Sequence, residues 1–206
     1  MNRYPTWPAL LTVLILIQGC GGILTSDQPA RQTYLLKPLV HPSSATATAE
    51  AVDLALNVTA IPGLDTDQVL ALGVDARLQQ YSNARWPDHV PEVLTSVLQR
   101  SLESAGPFAP VRNADRATAD GWMLQLEVRE FFGIRDAAGD TSSVRVALAG
   151  SVSCGGERHP LGLHDANPVA TQRLASVVAA HQAGLDGVTR DLVERVLRLC
   201  RQVEPQ

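Results

Sequence analysis

The chain has 206 residues, 45% of them apolar and 18% charged; that is one domain with a real core and excludes a disordered chain. Seventeen basic against 21 acidic residues give a formal charge of −4, which excludes the basic surface of a nucleic-acid binder. Lys37 is the only lysine, so P-loop, Ser-x-x-Lys and Schiff-base chemistry have no other residue to use.

Arg3 precedes residues 9–17 (ALLTVLILI), an apolar run broken only by Thr12. Nine helical residues rise about 14 Å, and a bilayer core needs about 20 residues. The run is therefore a signal-peptide h-region and not a spanning helix. It ends in Ile17-Gln18-Gly19-Cys20, an aliphatic residue three before a cysteine and a small residue directly before it. This is the pattern of a bacterial lipobox. Cys20 is the expected lipidation site, with diacylglycerol on sulfur and an acyl chain on the freed amine; no other cofactor is implied. The alternative is an ordinary secretory signal with a chance cysteine. Gly21 follows where Asp would retain a lipoprotein in the inner membrane, so the expected location is the periplasmic face of the outer membrane. The expected organisation is a cleaved signal peptide at 1–19, a lipidated tether at 20–33, one folded domain at 34–201 and a tail at 202–206. Residues 41–50 (HPSSATATAE) form a low-complexity loop.

Residues 34–39 (YLLKPL) predict a short first strand. Residues 51–60 alternate, with Val52, Leu54, Leu56 and Val58 on one side and Asp53, Asn57 and Thr59 on the other, a half-buried strand that Pro62-Gly63 stops. Residues 69–81 place Leu70, Leu72, Val74 and Leu78 on one face, with Gly73 at a bulge or turn. They predict two short strands or one bent one. Pro87 is expected as the first residue of a helix that carries Val90, Val93, Leu94, Val97, Leu98, Leu102 and Ala105, ended by Gly106-Pro107. Residues 108–111 follow as a short strand.

Trp122, Leu124, Leu126 and Val128 alternate with polar residues, as do Val144, Val146, Leu148, Val152 and Cys154. These runs predict a long hairpin around Asp136–Asp140. Residues 155–168 have room for one more edge strand. Leu174 to Cys200 carry a helical stripe of Leu174, Val177, Val178, Leu185, Val188, Leu192, Val196 and Leu199. Gly184 and Gly187 weaken that helix by about 1 kcal/mol each, which predicts a kink or break. Together the elements give an α+β single domain: a largely antiparallel or mixed sheet with two main helices on one face. Cys154 and Cys200 either form a disulfide, which an oxidising periplasm permits, or sit as two separate buried thiols. No His or Cys stands at zinc-ligand spacing from them.

Catalytic grammar is sparse. Ser153 lies in an alternating strand and lacks the glycine two before it. His159 and His164 flank a Pro-Leu-Gly-Leu turn next to Asp165, and polar loop residues are expected there rather than a metal site. His181 falls on the apolar side of the last helix as a packed histidine. Glu127 and Glu130 have no opposed carboxylate pair for glycoside chemistry. Phe131-Phe132 closes the hairpin as a core cap, and Arg85-Trp86 places a Trp against the start of the first helix. The chain therefore reads as a binding or assembly protein and not an enzyme.

Four stretches in order carry a resemblance: TYLLKP, VDLALNVTAIPGLDTDQVL, ARWPDHVPEVLTSVLQRSLESAGPF and ASVVAAHQAGLDGVTRDLVERVL. Over residues 34–198 the chain resembles the ABC-type transport auxiliary lipoprotein family, which includes the lipoprotein of the paraquat-inducible MCE system. The resemblance implies a non-catalytic accessory lipoprotein that docks onto a periplasmic MCE-domain protein. The further partners it implies are an inner-membrane permease and ATPase or an integral protein, with phospholipid as cargo; a homo-oligomer is compatible with it. The competing readings are an outer-membrane assembly lipoprotein that partners a lipopolysaccharide-export barrel, and a periplasmic hydrolase built on Ser153, His159, His164 and Asp165.

Overall fold

The structure is a computed structural model that describes residues 31–40, 52–118 and 121–201. Its elements in chain order are β1 (Gln32–Thr33), β2 (Val52–Ala60), β3 (Gln68–Leu72), β4 (Leu78–Arg85), α1 (Val90–Ser104), β5 (Phe108–Asn113), a 3-10 turn (Ala114–Arg116), β6 (Trp122–Arg135), β7 (Thr141–Cys154), β8 (Glu157–Pro168) and α2 (Leu174–Arg201). Cys20, the signal and tether residues through 30, the loop at 41–51 and the tail at 202–206 lie outside the described residues.

β6 organises the sheet. One side pairs antiparallel with β7 from Met123↔Ser153 to Arg135↔Thr141. The other side is shared: β2 pairs parallel with its first half, and β3 pairs parallel at Gly133 and Ile134. β5 lies outside β2, β4 and then β1 lie outside β3, and β8 flanks β7. The result is an open, mixed eight-stranded sheet with two helices, the expected α+β class. α1 packs over β2 and β5, and α2 packs over β7 and β8. The alternating residues Leu54, Leu56, Leu124, Leu126, Val128, Val144, Val146, Leu148, Val152, Leu161 and Leu163 form the buried face beneath them.

The first predicted strand is corrected: residues 34–40 are a strap across both helices, and the strand there is only Gln32–Thr33. Gln182 of α2 reads both peptide groups of Lys37: the Lys37 N–H donates to Oε1 at 2.8 Å, and Nε2 donates to the Lys37 carbonyl at 3.0 Å. On α1, Ser101 Oγ accepts the Leu39 N–H, and Ser104 Oγ donates to the Leu39 carbonyl. Side chains therefore satisfy the strap's backbone where a neighbouring strand would otherwise do so.

Other boundaries move for local reasons. α1 begins at Val90 with Pro91 in its first turn, not at Pro87, because the Trp86 and Val90 N–H groups donate back to Asp67 and Thr66. Residues 69–81 divide into β3 and β4 around a turn at Gly73–Arg77, where Ala76 holds φ +61°. The turn breaks the alternation and leaves Val74 and Leu78 exposed. Phe131 and Phe132 are buried inside β6, beyond a register shift between Val128 and Glu130, and not at the hairpin's closing turn.

α2 runs unbroken through Gly184 and Gly187. Both glycines let the helix approach the sheet. A Cβ at 184 would sit 2.8 Å from Val146 Cγ2, and one at 187 would sit 1.9 Å from Asp165 Oδ2. A disulfide joins Cys154, at the end of β7, to Cys200 in the last turn of α2, with Cα atoms 5.7 Å apart.

Candidate functional site

The residues a hydrolase would need are dispersed along β7 and β8. The predicted turn between His159 and His164 is absent; both lie within β8, as does Asp165. His159 pairs with Val152 and Asp165 with Val146 on the helix-covered face, whereas His164 pairs with Ala147 on the open face. Ser153 pairs with Arg158 on that open face, six positions from the partner of His164. Glu127 and Glu130 form exposed ion pairs with Arg129 and Arg145.

His181 is fully buried between Trp86 and Phe131, with ring centroids at 5.3 and 4.9 Å. Its Nδ1 donates to the Val177 carbonyl at 2.9 Å, and burial pushes its pKa down to about 4. The ring is therefore neutral at ordinary pH. Trp86 is buried where the chain enters α1, while Arg85 reaches outward to Thr33 Oγ1.

One constellation was not singled out from the sequence. Asp65, His89 and Glu92 place their ligand atoms within 4.8 Å of one another at the start of α1. His89 Nδ1 lies 2.8 Å from Asp65 Oδ1. That bond, with the nearby Glu92 and Asp88 charges, raises the His89 pKa. All three side chains are exposed. Asp65 and His89 are 24 residues apart, so only the return of the chain from β4 to α1 brings them together.

Beside this cluster runs a groove of about 500 Å³. Leu56 and Val58 line its floor, α1 supplies Glu92, Thr95 and Gln99, and Asn113–Asp115 close the far wall. It opens where β5 stops: the last β2–β5 pair is Leu56↔Asn113, while β2 continues beside β6 to Ala60. The groove thus combines apolar floor, backbone edge and carboxylates. That combination suits binding of an extended chain.

Residues 34–193 match the family model for the ABC-type transport auxiliary lipoprotein component. None of the curated proteins matches the chain. Among solved structures, the chain is similar to protein XCC0632 from Xanthomonas campestris, of the DUF330 family. Identity is 22%, with a TM-score of 0.69 over 83% of this chain and 98% of that one. It is also similar to a crystal structure titled only as an uncharacterized protein, at 15% identity and a TM-score of 0.67, covering 82% of this chain and 99% of that one. These likenesses establish a shared fold.

Proposed function

The chain belongs to the ABC-type transport auxiliary lipoprotein family, and from that membership we propose that it is the envelope-anchored accessory subunit of an MCE-type lipid transporter. The observation that carries this reading is the extent of the match. Residues 34–193 run from the strap through β2 to β8 and most of α2, so the match covers nearly all of the folded domain. In this reading Cys20 carries the acyl chains, and several chains give stable attachment to the inner leaflet of the outer membrane. The domain then docks onto a periplasmic MCE-domain protein, whose inner-membrane permease and ATPase drive phospholipid movement. In this reading it is non-catalytic, in keeping with the division of the candidate residues between two faces: His159 and Asp165 lie on the helix-covered face of the sheet, and Ser153 and His164 on the open one. Anchoring raises the local concentration of the domain at a partner that spans the periplasm.

The test is an affinity pull-down of the tagged lipoprotein from crosslinked, detergent-solubilised envelopes, read by mass spectrometry for proteins and lipids. Recovery of an MCE-domain protein with phospholipid is expected. Recovery of a lipopolysaccharide-export barrel, or good yield without any MCE-domain protein, sinks the reading.

A further inference from the structure

The sheet treats its edges unequally. In β8, Pro160 and Pro168 have no N–H to offer, the Gly162 carbonyl accepts Arg195 Nη1 at 3.2 Å, and the Ala166 N–H donates to Asp165 Oδ1 at 2.8 Å. In β5, Pro110 lacks an N–H, and the Val111 carbonyl accepts Gln99 Nε2 at 3.0 Å. These devices blunt both edges against strand addition. The rim of β4 is polar: Gln79, Gln80, Ser82 and Asn83 are all exposed.

The end of β2 differs. The Val52 N–H points to the β5 side, where it donates to the Pro107 carbonyl, and the Ile61 N–H points to the β6 side, where it donates to the Val128 carbonyl. Backbone direction alternates with period two along a strand, so Val58 and Ala60 face the β5 side. β5 has ended at Asn113 by then, and the groove lies in its place. Leu56 and Val58 give that place a buried apolar floor. Its two carboxylates, Glu92 on α1 and Asp115 beyond β5, have no cation at ion-pair distance among the described residues. Asp65, hydrogen-bonded to His89, and Asp88 add carboxylates at the same end of α1.

We propose that this groove takes an extended, basic segment of a protein partner, which continues the line of β5, pairs its backbone with Val58 and Ala60, and sets a Lys or Arg side chain between Glu92 and Asp115. Main-chain bonds to the strand give affinity, and the carboxylates give register and charge selectivity. The inference deepens the docking reading above and rests on it only for which protein supplies the segment.

The test pans the full mature lipoprotein in detergent with a random nonapeptide library, then measures the enriched peptides and a purified MCE-domain subunit separately. Enriched peptides are expected to carry Lys or Arg and to slow hydrogen exchange at the Val58 and Ala60 amides. A double charge reversal, Glu92→Lys with Asp115→Lys, is expected to weaken them by about tenfold. Both residues are exposed, so circular dichroism is expected to stay native; Gln79→Lys with Asn83→Lys on the β4 rim is expected to change nothing. No enrichment, peptides without a basic residue, or protection falling on β4 or β8 overturns the groove. If the MCE-domain subunit binds wild type and double reversal equally, the groove is wrong and docking stands. If basic peptides bind as expected but that subunit does not, the groove stands and the docking reading falls.

Discussion

His181 presents its imidazole edge-on to Trp86, with centroids 5.3 Å apart and planes at 68°. The pair ties α2 to the segment that enters α1, and Phe131 of β6 completes the cluster at 4.9 Å from the imidazole. Because a carbonyl only accepts, the Val177 bond places the ring proton on Nδ1, so Nε2 carries a lone pair. Neither Nε2 nor the Trp86 indole N–H has a hydrogen-bond partner among the described residues. The fold keeps a neutral histidine in an aromatic core.

That burial makes stability depend on pH. In the unfolded chain His181 titrates near 6.5, and in the folded chain near 4. Above pH 6.5 both states are neutral and the fold has its full stability. Between 6.5 and 4 the unfolded state binds the extra proton, so stability falls with pH, by up to about 3 kcal/mol at the lower end. His89 works in the opposite direction because its pKa is raised, though it is fully exposed and screened. Urea unfolding at pH 7 and pH 4.5 is expected to show the loss in wild type and a much smaller one in His181→Leu. Equal acid losses in the two proteins would contradict the assignment.

The α2 glycines give a contrast within one helix. Replacing an interior helix glycine by alanine gains about 1 kcal/mol from propensity. At Gly184 the new methyl meets Val146 at 2.8 Å and Asn167 at 3.3 Å, and Val146 is fully buried. Overpacking of this kind costs about 1–3 kcal/mol, so Gly184→Ala is expected to destabilise. At Gly187 the obstacle is the Asp165 carboxylate, at the end of a short side chain. Removing it should release the propensity gain: Gly187→Ala added to Asp165→Ala is expected to raise stability by about 1 kcal/mol relative to Asp165→Ala alone. Thermal melts of the four proteins settle it, and a stabilised Gly184→Ala would refute the close-contact account.

Much of this architecture was legible because the signals are local. The period-two runs of β2, β6 and β7 and the stripes of both helices come from residues a few positions apart. The strap differs from the expected strand because Tyr34 and Leu36 pack on the core with strand-like alternation, while the partners of its backbone are Gln182, Ser101 and Ser104, distant in sequence. Gly184 and Gly187 looked like helix weaknesses until β8 lay against them. The groove has no sequence signature at all, since it exists only because β5 stops opposite Leu56 while β2 continues.

Cys154 and Cys200 close a loop across the whole of β8 and α2, with a sequence separation of 46. In the chain-entropy account a bridge over such a loop contributes about 4 kcal/mol. The mature, denatured protein is expected to show no free thiol before reduction and two after it, with Cys20 blocked by its acyl chain. Cys154→Ser with Cys200→Ser is expected to lower the urea midpoint and to fray the end of α2 first. Free thiols in the unreduced protein would show that the bridge does not form.

Gln182 holds the strap by both polar groups of its amide, one on each side of Lys37. A typical intramolecular hydrogen bond contributes about 1 kcal/mol net, so losing both loosens this crossing by about 1–2 kcal/mol while leaving the sheet core untouched. Gln182→Ala is therefore expected to speed hydrogen exchange of the Lys37 amide by about tenfold or more. The amides of β6 should exchange at their wild-type rate, since the hydrogen bonds of the Gln182 side chain run to Lys37 and Asp186. If exchange at Lys37 and in β6 accelerated together, the strap would be part of the global unfolding unit, and Gln182 would be a stability residue instead of a clamp.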